Sequence, residues 1–156
     1  MKKVLIALDY DPSAQKVAES GYSIARAMRA EITLLHVIAD PVYYASPEYD
    51  PIMGFNGSLE LGKMKMNSIE GLKRASLQFL DQSKKHLGDP LIKTRVAEGD
   101  FAEAILNTAK DLDADMIVMG SHSRKWIENI LIGSVTEKVL RQSTTPLFII
   151  PTKKQK

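Results

Sequence analysis

The residues best placed to do chemistry lie in one stretch, Met116 to Leu140, which reads MIVMGSHSRKWIENILIGSVTEKVL. It opens on a short apolar run, Met116 to Met119, of the kind that forms a strand buried on both faces. Gly120 stops the run, and a polar, basic loop with Ser121, His122, Ser123, Arg124 and Lys125 follows. Gly133-Ser134 then precedes a segment, Val135 to Leu140, of helical composition. A strand, a glycine, a basic loop and a Gly-Ser at a helix start together suggest an anion site. Free backbone N–H groups and the positive end of the helix dipole favour a phosphate at such a place. Gly120 and Gly133 lie thirteen residues apart, so this is not the P-loop pattern GxxxxGK[ST], which occurs nowhere in the chain.

The rest of the inventory argues against conventional catalysis. His36, His86 and His122 are scattered, and no two have metal-ligand spacing. Neither HExxH nor GxSxG occurs, and no nucleophile stands beside an evident base. His36, at the end of an apolar run, reads as a satisfied buried histidine. No catalytic residue and no metal-binding residue is assigned. The absence of cysteine excludes disulfides and thiolate chemistry together.

The elements that must position the anion stretch follow from the chain in order. Lys3 to Leu8 is a continuous apolar run that reads as a central parallel strand. Ser13 is placed to cap a helix over Ala14 to Ala30, with Val17, Ala18, Tyr22, Ile24, Ala25 and Met28 on its apolar stripe. Glu31 to Ile38 is a second strand, so the chain begins β-α-β with a right-handed connection. Residues 39–67 hold three prolines, three glycines and three of the five tyrosines. That density argues for a long insertion loop whose apolar residues fold over the domain or against a partner subunit. Ser68 to Leu87 is helical, with Leu72, Ala75, Leu77, Phe79 and Leu80 on its buried face, and Gly88-Asp89-Pro90 ends it. A strand over Leu91 to Ala97, a helix over Phe101 to Leu112, the motif strand, the last helix and a strand over Leu147 to Ile150 complete one domain over residues 1–151. A basic tail, 152–156, follows.

Five strands alternating with four helices predict a three-layer α/β sandwich with a parallel sheet and helices on both faces. With 156 residues, 44% apolar and 26% charged, the chain is long enough to bury one core. A net charge of +2 is too balanced to argue for nucleic acid. The apolar core of MKKVLIALDYD is too short for a signal peptide, and no run approaches a membrane span, so the protein is expected to be cytoplasmic.

The motif stretch resembles the universal stress protein (UspA-like) family, whose nucleotide-binding branch carries G-x2-G-x9-G-[ST]. Here it reads Gly120-Ser121-His122-Ser123, nine residues, then Gly133-Ser134, with Ser123 in place of the second glycine. A serine at Ser123 either accepts a strained left-handed backbone, at a cost of about 1 kcal/mol or more, or bonds phosphate through its hydroxyl. The resemblance implies the strand order 3-2-1-4-5. It places Ala7, Leu8 and Asp9 around an adenosine, with Asp9 at the ribose; a strand-end aspartate capping the next helix would look the same. It places Val37 against adenine, Met119 and Gly120 beside the nucleotide, and His122 and Ser123 in the phosphate loop. Gly133, Ser134 and Val135 match the helix start that holds phosphate, and a serine there can also cap its helix. The implied cofactor is ATP with Mg2+, bound as a regulatory switch in the stress response, with weak ATPase activity at most. The alternative is a nucleotide-free dimeric adaptor that recognises an unknown protein partner. Family members pair the fifth strand with its two-fold copy, which implies a homodimer through Leu147 to Ile150.

Overall fold

A computed structural model describes residues 1–9, 12–38, 69–121 and 132–152. The expected insertion at 39–67 and all but the first residue of the basic tail lie outside the described residues. The elements are β1 (Lys3–Ala7), α1 (Ala14–Ala27), β2 (Glu31–Ile38), α2 (Ile69–Leu87), β3 (Lys93–Glu98), α3 (Phe101–Leu112), β4 (Met116–Gly120), α4 (Ser134–Gln142) and β5 (Leu147–Ile150). The five strands form one parallel sheet in the order β3-β2-β1-β4-β5. Both the α/β class and the strand order agree with the expectation from the sequence.

Strand side chains alternate between two cores, which explains the continuous apolar runs. Val4, Ile6, Ile32, Leu34 and Val118 face α1 and α2, where they meet Val17, Ala18, Leu72, Ala75 and Phe79. Leu5, Leu35, Val37, Ile117 and Met119 face α3 and α4, where they meet Ala102, Ile105, Ala109 and Val139. A strand with only one apolar face would leave one helical layer without a surface to cover.

The ends of the elements show where local signals mislead. α1 stops at Ala27 rather than Ala30, because Arg29 turns to φ 54° and donates its N–H to Arg26 O. No glycine marks that turn, so it is silent in the sequence. Ser13 occupies the N-cap of α1, but in helical dihedrals and without a side-chain cap bond. Leu77, expected on the buried face of α2, is 51% exposed. Gly88 does end α2 as expected: at φ +70° it donates to Lys84 O, a conformation that glycine adopts without a Cβ penalty.

One glycine is required by packing. Gly21 lets α1 lie against the seam between β1 and β4, where an added Cβ would stand 3.0 Å from both Ile6 Cδ1 and Val118 Cγ1. Gly21→Val therefore overpacks two strands at once, and we expect a loss of about 1–3 kcal/mol in urea unfolding. Gly21→Ala is expected to fall well short of that, because alanine recovers roughly 0.5–1 kcal/mol of helix propensity.

Candidate functional site

The two central strands place the site. Parallel pairing puts Leu5 level with Ile117 and Ile6 with Val118, so Asp9 and Gly120 emerge at the same edge of the sheet. From there the chain after β1 enters α1 on one face, and the chain after β4 leads to α4 on the other. Such divergence opens a crevice outside the carboxyl ends of the strands, the usual ligand position in an open α/β sheet.

A cleft of about 390 Å³ occupies that position. Ala7, Leu8, Asp9, Val37, Met119, Gly120, Ser134 and Val135, all singled out from the sequence, line it. Gly133 precedes the lining residue Ser134 and is the N-cap of α4. His122 and Ser123 lie outside the described residues, as do Arg124 and Lys125. The lining also includes residues that the sequence reading did not select, among them Ser13, Leu35, His36, Asp100, Phe101 and Thr136.

His36 has the buried role expected of it. It is 2% exposed, its Nδ1 lies 2.8 Å from Leu8 O, and its ring meets Phe79 edge-on with centroids 5.6 Å apart. That contact fixes the strand end carrying Leu8 and Asp9 against β2.

Two helix starts border the cleft, and they differ in chemistry. At α3, the Asp100 carboxylate accepts the Glu103 N–H at 3.1 Å and the Lys138 ammonium at 3.1 Å. The Glu103 amide, and after it Lys138, hold the Asp100 carboxyl below the usual carboxylate range. At α4, the N-cap is Gly133 in extended backbone (φ −67°, ψ 157°), which has no side chain to cap the helix, and among the described residues no side-chain cap bond is made there. Ser134 is thus the first residue of α4 rather than its cap, contrary to the capping role the sequence allowed. A helix start leaves the N–H groups of its first turn without intrahelical acceptors, here those of Ser134, Val135 and Thr136. Among the described residues, one helix start is therefore neutralised by a carboxylate, and the other sets uncapped amides and a positive dipole end beside the cleft.

One hydroxyl and one backbone carbonyl hold the open helix start in place. Thr136 Oγ1, in a side chain buried in the described structure, donates to Gly120 O at 2.9 Å. Ser121 donates its N–H to Ile150 O at 2.9 Å and accepts the Gly133 N–H on its carbonyl at 2.7 Å. Its Oγ accepts the Thr152 N–H at 3.0 Å. Thr152, the residue after the expected domain end, is buried at 6% exposure. Asp100 had a local signal, since Asp-x-x-Glu at a helix start is an N-cap pattern. Thr136 and Thr152 had none, because their partners are distant in sequence.

Comparison with known proteins agrees with this architecture. Universal stress protein YxiE of Bacillus subtilis (strain 168) is 27% identical over 151 residues, covering 95% of this chain and 97% of its own. Universal stress protein MJ0577 of Methanocaldococcus jannaschii is 27% identical over 155 residues, covering 97% and 96%. The solved structure of MJ0577 superposes with a TM-score of 0.73 over 99% of this chain and 98% of that one. A universal stress protein solved in complex with cAMP has the same fold, with a TM-score of 0.64 at 22% identity over 97% of this chain and 98% of that one. The model of the universal stress protein family matches residues 1–151, and the chain belongs to that family.

Proposed function

We propose that this chain binds ATP in the cleft at the carboxyl ends of β1 and β4 and acts as a nucleotide-dependent regulatory switch in the cytoplasm. The observation that carries the reading is the contrast between the two helix starts. Among the described residues the α4 start has no side-chain cap, which leaves its amides for an anion, whereas the α3 start is filled by Asp100. Phosphate therefore belongs at Ser134 and Val135. The base then belongs at the other end of the cleft, among Val37, Phe101 and Ile105, with Asp9 in reach of ribose hydroxyls. A volume of about 390 Å³ is in the range of small-ligand clefts.

Mg2+ would be held chiefly by the nucleotide's phosphates and water, which is how this ion usually binds. Among the described residues, no three acidic or histidine side chains gather into a metal site. Bound nucleotide needs no hydrolysis to act as a switch: it stabilises the conformation it fits. Calorimetric titration tests the reading, with saturable binding of one ATP per chain expected and cAMP as a comparison ligand. No heat above dilution at millimolar ATP would refute it.

We also propose a homodimer through β5. This strand pairs with β4 on one side and forms the outer edge of the sheet on the other. Its sequence is Leu-Phe-Ile-Ile, and Phe148 is 40% exposed. The opposite edge, β3, carries Lys93 and Arg95 in ion pairs with Glu31 and Asp111. Charge protects an edge from pairing, and an apolar edge invites it. Phe148→Lys is expected to shift the wild-type dimer toward monomer by at least about tenfold in dissociation constant, read by sedimentation equilibrium. A monomeric wild type at micromolar concentration would remove the dimer from the account. The second reading is a nucleotide-free dimeric adaptor whose surface loops recognise a protein partner, and a wild type that dimerises but binds no ATP would favour it.

A further inference from the structure

Two hydrogen bonds bracket the open helix start. The residue before Ser134 is tied to the strand end through Gly133 N–H to Ser121 O, at 2.7 Å. The residue after Val135 is tied through Thr136 Oγ1 to Gly120 O, at 2.9 Å. Ser134 and Val135 sit between the two ties. Side chains in a helix point back toward its N-terminus, so a hydroxyl at the third position reaches the preceding strand end. Ser121 is itself held from the far side, by Ile150 O on its N–H and by the Thr152 N–H on its Oγ.

Resting on the nucleotide reading above, we infer that Thr136 and Ser121 are positioning residues for the phosphate half of the ligand. The Thr136 hydroxyl and the Ser121 carbonyl set the distance and orientation of the α4 amides relative to the end of β4, and the Ser121 hydroxyl anchors that strand end to Thr152. Val37, Phe101 and Ile105, the proposed base half, lie on β2 and α3, and neither of the two bonds at the α4 start involves them. Loss of the Thr136 hydroxyl lets the helix start shift, and a shift of the donors weakens contacts to phosphate first, because hydrogen bonds are steep in distance and angle.

The test compares ATP with adenosine, which lacks phosphate, by calorimetric titration into wild type, Thr136→Val, Thr136→Ser and Ser121→Ala. Valine keeps the shape of threonine without the donor. Thr136→Val and Ser121→Ala are each expected to weaken ATP by about five- to tenfold while adenosine changes by less than about twofold. Thr136→Ser is expected to restore ATP affinity. Should Thr136→Val fail to melt cooperatively, Thr136→Ala and Ser121→Ala are read in its place. Equal losses for both ligands, or an unchanged ratio in a wild type that binds ATP, would overturn the positioning role and leave the nucleotide reading standing. A wild type that binds neither ligand would overturn both.

Discussion

Gly133→Asp is expected to abolish most ATP binding while leaving the fold intact or slightly more stable. Gly133 has φ −67° and ψ 157°, a backbone conformation open to any residue, so the substitution introduces no strain of its own. It is also the N-cap of α4, where aspartate is among the preferred residues and gains a few tenths of a kcal/mol over glycine. The variant would give α4 the arrangement α3 already has, in which the Asp100 carboxylate accepts the Glu103 amide. That carboxylate would stand where phosphate is proposed to bind. At about 4 Å and an effective dielectric near 20, one like-charge contact amounts to roughly 4 kcal/mol. Reduced severalfold by screening and relaxation, it still predicts a loss of at least about tenfold in ATP affinity. Calorimetry reads the affinity and thermal melting reads the fold. A Gly133→Asp protein that binds ATP like wild type would move the phosphate site elsewhere.

Phe79→Ala is expected to be the most destabilising single change considered for this chain. Phe79 is 1% exposed in the core between the sheet and the two helices α1 and α2. Truncating a fully buried phenylalanine costs about 3–5 kcal/mol, from lost burial plus the cavity that remains. Domains of this size are stable by roughly 5–15 kcal/mol in total, so the variant should unfold at much lower urea. The effect should reach the cleft as well. Phe79 supports the ring of His36, whose Nδ1 lies 2.8 Å from the carbonyl of Leu8, next to Asp9. Equilibrium unfolding in urea, followed by circular dichroism, provides the measurement. A loss under about 1 kcal/mol would mean that the site collapses around the missing ring.

The sheet was legible because each central strand is apolar on both faces. Leu5 and Ile6 point into opposite cores, and only a strand covered by helices on both sides makes that pattern favourable. The strand order was not contained in that periodicity; it came with the resemblance, and the pairing of β1 with β4 bears it out. Helix ends were less legible. Arg29 and Asp113 both adopt left-handed backbone at helix ends, where sequence habit looks for glycine or asparagine. Leu77 fitted the apolar stripe of α2 but points outward, since periodicity fixes a face only to within about a residue.

In the cleft, the residues carried by the motif could be named beforehand because they are local. Gly120, Ser134 and Val135 sit within one stretch, and Asp9 ends the strand beside it. The supports could not be named. Thr136 reaches Gly120, sixteen residues away, and Ser121 meets Thr152, thirty-one residues away. A lone hydroxyl in the sequence carries no sign of such a partner. Asp100 and Phe101 read as a turn and a helix start. They border the cleft only because β3 lies beside β2, which brings the start of α3 next to Val37.

A crystal structure of the wild-type protein grown with ATP and Mg2+ would show where the phosphates lie. Phosphate density is expected against the amides of Ser134 and Val135, with ribose beside Asp9 and the base between Val37 and Phe101. ATP bound with its phosphates at Asp100 and Phe101, or outside this cleft altogether, would contradict this placement.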